Sequence, residues 1–66
     1  MIRTDKLRGL IAENGLTQSD VARVIGITPK TFYEKMQRGV FGSDEIEIMI
    51  ETLHIEDPAA IFFARG

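Results

Sequence analysis

Residues 17–36, Thr-Gln-Ser-Asp-Val-Ala-Arg-Val-Ile-Gly-Ile-Thr-Pro-Lys-Thr-Phe-Tyr-Glu-Lys-Met, constrain this chain more than any other stretch. They prescribe two short helices and the corner between them. Val21 and Ile25 lie four apart and share one face of the first helix. Ala22 falls where the two helices come closest, where only a small side chain fits. Gly26 marks the corner, which calls for a positive φ that glycine adopts without steric cost. Thr28 is placed to cap the orphan N–H groups of the second helix, and Pro29 is pre-set for its first position. Thr17 and Asp20 predict a capping box, with Asp in place of the usual Glu or Gln.

Two helices crossing at a wide angle through a short turn make the helix-turn-helix unit, whose second helix can lie in a DNA major groove. The charge supports this only in part. Net charge is −2 and the sequence pI is about 5.2, whereas DNA-binding domains often lie above roughly 9. The total conceals an asymmetry. Residues 1–40 carry seven basic side chains (Arg3, Lys6, Arg8, Arg23, Lys30, Lys35, Arg38) against four acidic ones (Asp5, Glu13, Asp20, Glu34). Residues 41–66 carry Arg65 alone against Asp44, Glu45, Glu47, Glu51, Glu56 and Asp57. A basic front and an acidic back would orient the molecule on a polyanion; the plainer reading is an unevenly charged, solvated surface.

The remaining pattern is helical throughout, so the expected fold class is all-α, with five short helices in a single domain over residues 1–66. The first runs from Thr4 or Asp5 to Glu13, with Leu7, Leu10 and Ile11 as its buried stripe and Asn14-Gly15 as its stop. The second spans Gln18 to Ile25. The third spans Pro29 to about Gln37, with Phe32 and Met36 inward, and ends before Gly39. Ser43 is the expected N-cap of a fourth helix reaching Leu53, which buries Ile46, Met49, Ile50 and Leu53. Asp44 and Glu45 suit its positive end. Asp57-Pro58 opens a short fifth helix holding Ile61, Phe62 and Phe63. No stretch alternates cleanly enough to compete as a strand.

Leu16-Thr17-Gln18, Val21-Ala22, Ile25-Gly26-Ile27-Thr28 and the tail from Leu53-His54-Ile55 through Asp57-Pro58 to Ile61-Phe62-Phe63 resemble the lambda-repressor-like domain of phage repressors, Cro proteins and XRE-type bacterial regulators. That resemblance implies a transcriptional regulator, a homodimer, and double-stranded DNA with a pseudo-palindromic operator as its partner. Two positions depart from the family pattern. Lys35 stands where an apolar residue is usual, three after Phe32. Pro29 stands where many repressors carry a base-reading glutamine, and proline has no donor to offer a base.

By the resemblance, Lys30 faces the major groove, where a lysine can donate to guanine O6 and N7; a phosphate contact or a solvated lysine are the alternatives. Tyr33 shares its face and is a base-contact candidate, as are Thr31 and Glu34. Glu34 could accept from cytosine N4, although pairing with Lys30 or Arg38 along the helix is the simpler reading. Gln18, Thr28, Lys35 and Arg38 are phosphate-contact candidates, with Thr28 a cap first. Phe62 and Phe63 point about 100° apart on a helix, so one can enter the core while the other reaches the surface. Phe41, Ile61, Phe62 and Phe63 are therefore dimer-contact candidates. His54, the only histidine, ends the fourth helix, where a cation is favoured, and by itself is no metal site.

The competing reading is a protein–protein interaction module on the same helical fold, suggested by the acidic back half and the paired phenylalanines. An enzyme is not expected: one histidine, no cysteine and no carboxylate pair offer no assembled catalytic set. No cofactor, metal, small-molecule substrate or membrane partner is implied. Without cysteine, signal peptide or long apolar run, the chain reads as soluble and cytoplasmic. At 66 residues the core is small, which makes association a natural source of added stability.

Overall fold

Four helices of this protein end in the same device, and those ends set its architecture. The computed structural model describes residues 2–63. Its elements are α1 (Thr4–Glu13), α2 (Gln18–Ile25), α3 (Pro29–Arg38), α4 (Ser43–Thr52) and α5 (Pro58–Phe62). All are helical, with no strand among the described residues. After α1, α2, α3 and α4 the chain passes through a left-handed residue: Gly15 (φ 70°), Gly26 (φ 93°), Gly39 (φ 70°) and His54 (φ 52°). An apolar residue follows each one, and its N–H donates back to the last turn. Leu16 donates to Ile11 O (3.1 Å), Ile27 to Ala22 O (3.0 Å), Val40 to Lys35 O (3.1 Å) and Ile55 to Ile50 O (3.0 Å). This is the Schellman closure, which satisfies orphan carbonyls and turns the chain sharply. The positive φ at Gly26 confirms the expected corner; that at His54 does not follow from any glycine signal.

The helix starts are also local. Thr17 Oγ1 accepts from Asp20 N (3.1 Å), and the Asp20 carboxylate accepts from Thr17 N (2.9 Å), completing the predicted box at α2. Thr28 Oγ1 accepts from Thr31 N (3.2 Å) ahead of Pro29 in α3. At α4 the N-cap is Gly42, one residue before the expected Ser43. The Glu45 carboxylate reaches back and accepts from Gly42 N at 2.7 Å, which moves the start forward. Helix α4 ends at Thr52, with Leu53 as its C-cap, and α5 ends at Phe62, leaving Phe63 just outside.

Helix α2 is the hub: it packs against α1, α3 and α4, while α5 packs against α1. Val21 and Ala22 have no exposed surface, and neither do Leu7, Phe32 and Met49. Ile11, Met36, Phe41, Leu53, Ile55, Ile61 and Phe62 complete the core. The Phe32 and Phe41 rings meet at 5.5 Å, tilted by 53°, a favourable aromatic arrangement. Leu10, Ile25, Ile27, Ile46 and Ile50 are only partly buried against this core, because so small a domain has few wholly interior sites. The same packing places three of the four dimer-contact candidates largely inside the core of the single chain. Phe41, Ile61 and Phe62 are buried to within 7 % of their surface, and only Phe63, at 65 %, is exposed.

Two predictions test the helix ends. A Cβ at Gly26 meets nothing within 4 Å, so a side chain there is opposed by the φ of +93° rather than by a clash. Gly26→Val is expected to destabilise by about 1–3 kcal/mol in urea unfolding. His54→Gly is expected to stabilise by about 0.5–1 kcal/mol, because release of the left-handed strain exceeds the added entropy of the unfolded chain. An unchanged urea midpoint for either variant would contradict the corresponding backbone argument.

Candidate nucleic-acid interface

Helix α3 has two opposed faces. Phe32 and Met36 fasten one to the core. Lys30, Tyr33, Glu34, Gln37 and Arg38 are exposed, at spacings of 0, 3, 4, 7 and 8 that draw one stripe along a helix. The ring of Tyr33 is half in solvent, with the residue 49 % exposed. No ion pair joins Glu34 to Lys30 or Arg38 among the described residues, contrary to the simpler sequence reading of Glu34. The stripe therefore carries two free cations, a carboxylate, a phenol and an amide. Such a set can donate to and accept from base edges.

Thr31 is half-buried, and its hydroxyl oxygen accepts from Thr28 Oγ1 at 2.9 Å, so both threonines serve the cap. Gln18 is half-buried as the first residue of α2. Arg38 is exposed at the end of α3. Lys35, also a phosphate-contact candidate, has an acidic partner within the fold. Its Nζ donates to both Glu45 oxygens, at 2.8 and 2.7 Å, and its side chain is 32 % exposed. A lysine engaged in this way has its charge offset by a carboxylate of the same fold.

The other cations differ in their freedom. Arg3 makes a two-point contact with Asp5, from Nε to Oδ1 (3.2 Å) and from Nη2 to Oδ2 (2.9 Å). The Arg3 guanidinium, with the Lys6 backbone N–H, lowers the Asp5 pKa to about 2. Arg23 lies 3.6 Å from Asp20 on the solvent side of α2. The Thr17 backbone N–H and hydroxyl, then Arg23, hold the Asp20 carboxyl below its ordinary range. Lys6 and Arg8 are exposed on α1 without an ion-pair partner among the described residues.

Sequence reasoning missed two residues here. Gln37 sits seven after Lys30 on the same stripe, so its spacing was visible. Glu45 offered a weaker sign, an acid three residues after Gly42, but its partner Lys35 is ten residues away and no local rule joins them.

Residues 10–39 match the family model described as bacterial regulatory protein, Fis family. The match takes in the end of α1 and the whole of α2, the turn and α3. It supports a helix-turn-helix DNA-binding domain, the class the geometry also fits. No curated protein and no solved structure matches the chain. No helix of the described residues is long and apolar enough to cross a membrane.

The α2 cap gives a pH prediction. A carboxyl whose folded pKa is depressed contributes stability above its unfolded value of about 3.9, and loses it as pH falls through the folded value. The melting temperature should fall as pH drops below about 4, and Asp20→Asn should flatten that fall while melting lower at pH 7. Parallel melting curves for the two proteins from pH 7 to pH 2 would exclude Asp20 as a contributor.

Proposed function

We propose that this protein is a sequence-specific, dimeric DNA-binding regulator of the repressor or Cro type, acting in the cytoplasm through one domain over residues 1–66. The observation that carries this reading is the exposed stripe Lys30–Tyr33–Glu34–Gln37–Arg38, on a capped helix held to the core by Phe32 and Met36. Lys30 donates to guanine, Glu34 accepts from cytosine, and Gln37 has the two-sided amide suited to adenine. Tyr33 meets a thymine methyl or a phosphate, with Thr31 beside it at the helix start. Gln18, Thr28 and Arg38 take phosphates and set the register of the protein on the duplex. No catalytic step enters; the bound protein acts by occupying its operator.

Phe63 is the dimer contact we favour among the candidates, because it is the exposed one. It borders a groove of about 430 Å³ lined by Phe41, Ser43, Ile46, Glu47 and Ile50, and it is largely exposed. Two copies joined there would present α3 to successive major grooves if their separation were about 34–36 Å. The same groove is the one observation favouring the second reading, in which the fold binds another protein and reads no DNA.

A fluorescence-anisotropy titration against duplexes from the gene's upstream region, with a scrambled duplex as control, separates the two readings. Preferential binding whose log affinity falls steeply with log salt is expected. No preference over the scrambled duplex would shift the function to a protein partner. Lys30→Ala is expected to cost about 1–3 kcal/mol on the preferred duplex and less on the scrambled one; equal losses would reduce Lys30 to a phosphate contact.

A further inference from the structure

Helix α3 packs chiefly on α2. On its α4 side, a polar tie supplements the Phe32–Phe41 contact. Lys35, in the last turn of α3, sends its ammonium to both oxygens of Glu45, in the first turn of α4. Glu45 has only 9 % of its side chain exposed and also accepts from Gly42 N at 2.7 Å. A Cβ at position 42 would lie 2.9 Å from Asp44 Oδ1 and 3.4 Å from Glu45 Oε1, so glycine leaves the carboxylate room to close on the turn. One carboxylate thus binds the end of α3, the turn after it and the start of α4.

We propose that Glu45, acting through Lys35, is a positioning residue for DNA readout: it fixes the tilt of α3 and so the aim of the stripe. This rests on the DNA-binding reading above. A charge-assisted pair with two short bonds and an additional N–H is directional, whereas the apolar contacts of Phe32 and Met36 allow a helix to roll. The α3 stripe runs from Lys30 to Arg38, eight steps of 1.5 Å or about 12 Å, so a small change of tilt at Lys35 displaces the far side chains against the base edges. Neither Lys35 nor Glu45 touches DNA in this arrangement.

Three variants test it. Glu45→Gln keeps an acceptor for Gly42 N but removes the charge, Lys35→Met removes the cation, and Lys35→Arg retains the pair. Two measurements are made below each variant's melting temperature: affinity for the duplex that the wild type prefers and for its scramble, and residual dipolar couplings of the α3 amides relative to those of α2. Glu45→Gln and Lys35→Met are expected to reduce the preferred-to-scrambled affinity ratio roughly tenfold and to reorient α3. Lys35→Arg should preserve both. The proposal is overturned if the ratio holds while only the melting temperature falls, or if α3 keeps its orientation. It is equally overturned if Lys35→Met weakens both duplexes alike and lowers the salt slope by about one, the signature of a phosphate contact. Should the wild type prefer no duplex, the DNA-binding reading fails by itself, and the dipolar couplings alone decide whether Glu45 positions α3.

Discussion

The structure depends on how closely α2 can be approached from three sides. Val21 and Ala22 are fully buried, and α1, α3 and α4 all rest on the helix that carries them. A methyl group at position 22 is small enough for a neighbouring helix to come near, while Val21 fills the space on the adjacent side. Close-packed interiors tolerate little change of volume, so enlarging Ala22 would push apart several helices together. Gly26, directly after the last residue of α2, turns the chain into α3 within three residues. One small side chain and one left-handed corner therefore set how closely and how sharply α3 follows α2.

Beyond that hub, single polar contacts tie elements that are distant in sequence. Arg3 N donates to Ile61 O at 2.6 Å, holding the start of α1 to α5. Asn14 Nδ2 donates to Leu10 O (2.8 Å) and Leu53 O (3.2 Å), joining the ends of α1 and α4. Lys35 and Glu45 do the same for α3 and α4. A buried ion pair is weak evidence for net stability, because desolvation opposes the Coulomb gain. Its direction is the useful property: two short bonds to one carboxylate set a definite geometry between the end of α3 and the start of α4.

Much of this was legible in the residues. The bounds of α2, the box at Thr17 and Asp20, the cap at Thr28 and the corner at Gly26 all follow from interactions within four residues of each other, and the structure places them where the sequence does. The faces of α3 were readable for the same reason, since Phe32 and Met36 fix which side is inward. The N-cap of α4 was misplaced by one residue because Glu45 competes for Gly42, and Ser43 looks like the better cap when taken alone. His54 in a left-handed turn escaped notice because glycine is the usual signal there. The dimer candidates were harder, since Phe41, Ile61 and Phe62 have the same apolar character as Phe63.

By itself the sequence determined the local matters: five helices, the caps of α2 and α3, the tight corner and the inward face of α3. These depend on hydrogen bonds and side-chain spacing inside a single turn or two, which any chain with these residues would satisfy. Only the tertiary structure decided which aromatic side chain stays in water and that Lys35 faces Glu45 instead of solvent. Those outcomes depend on contacts between residues that are far apart in the chain, and burial is assigned only when all five helices compete for one small core.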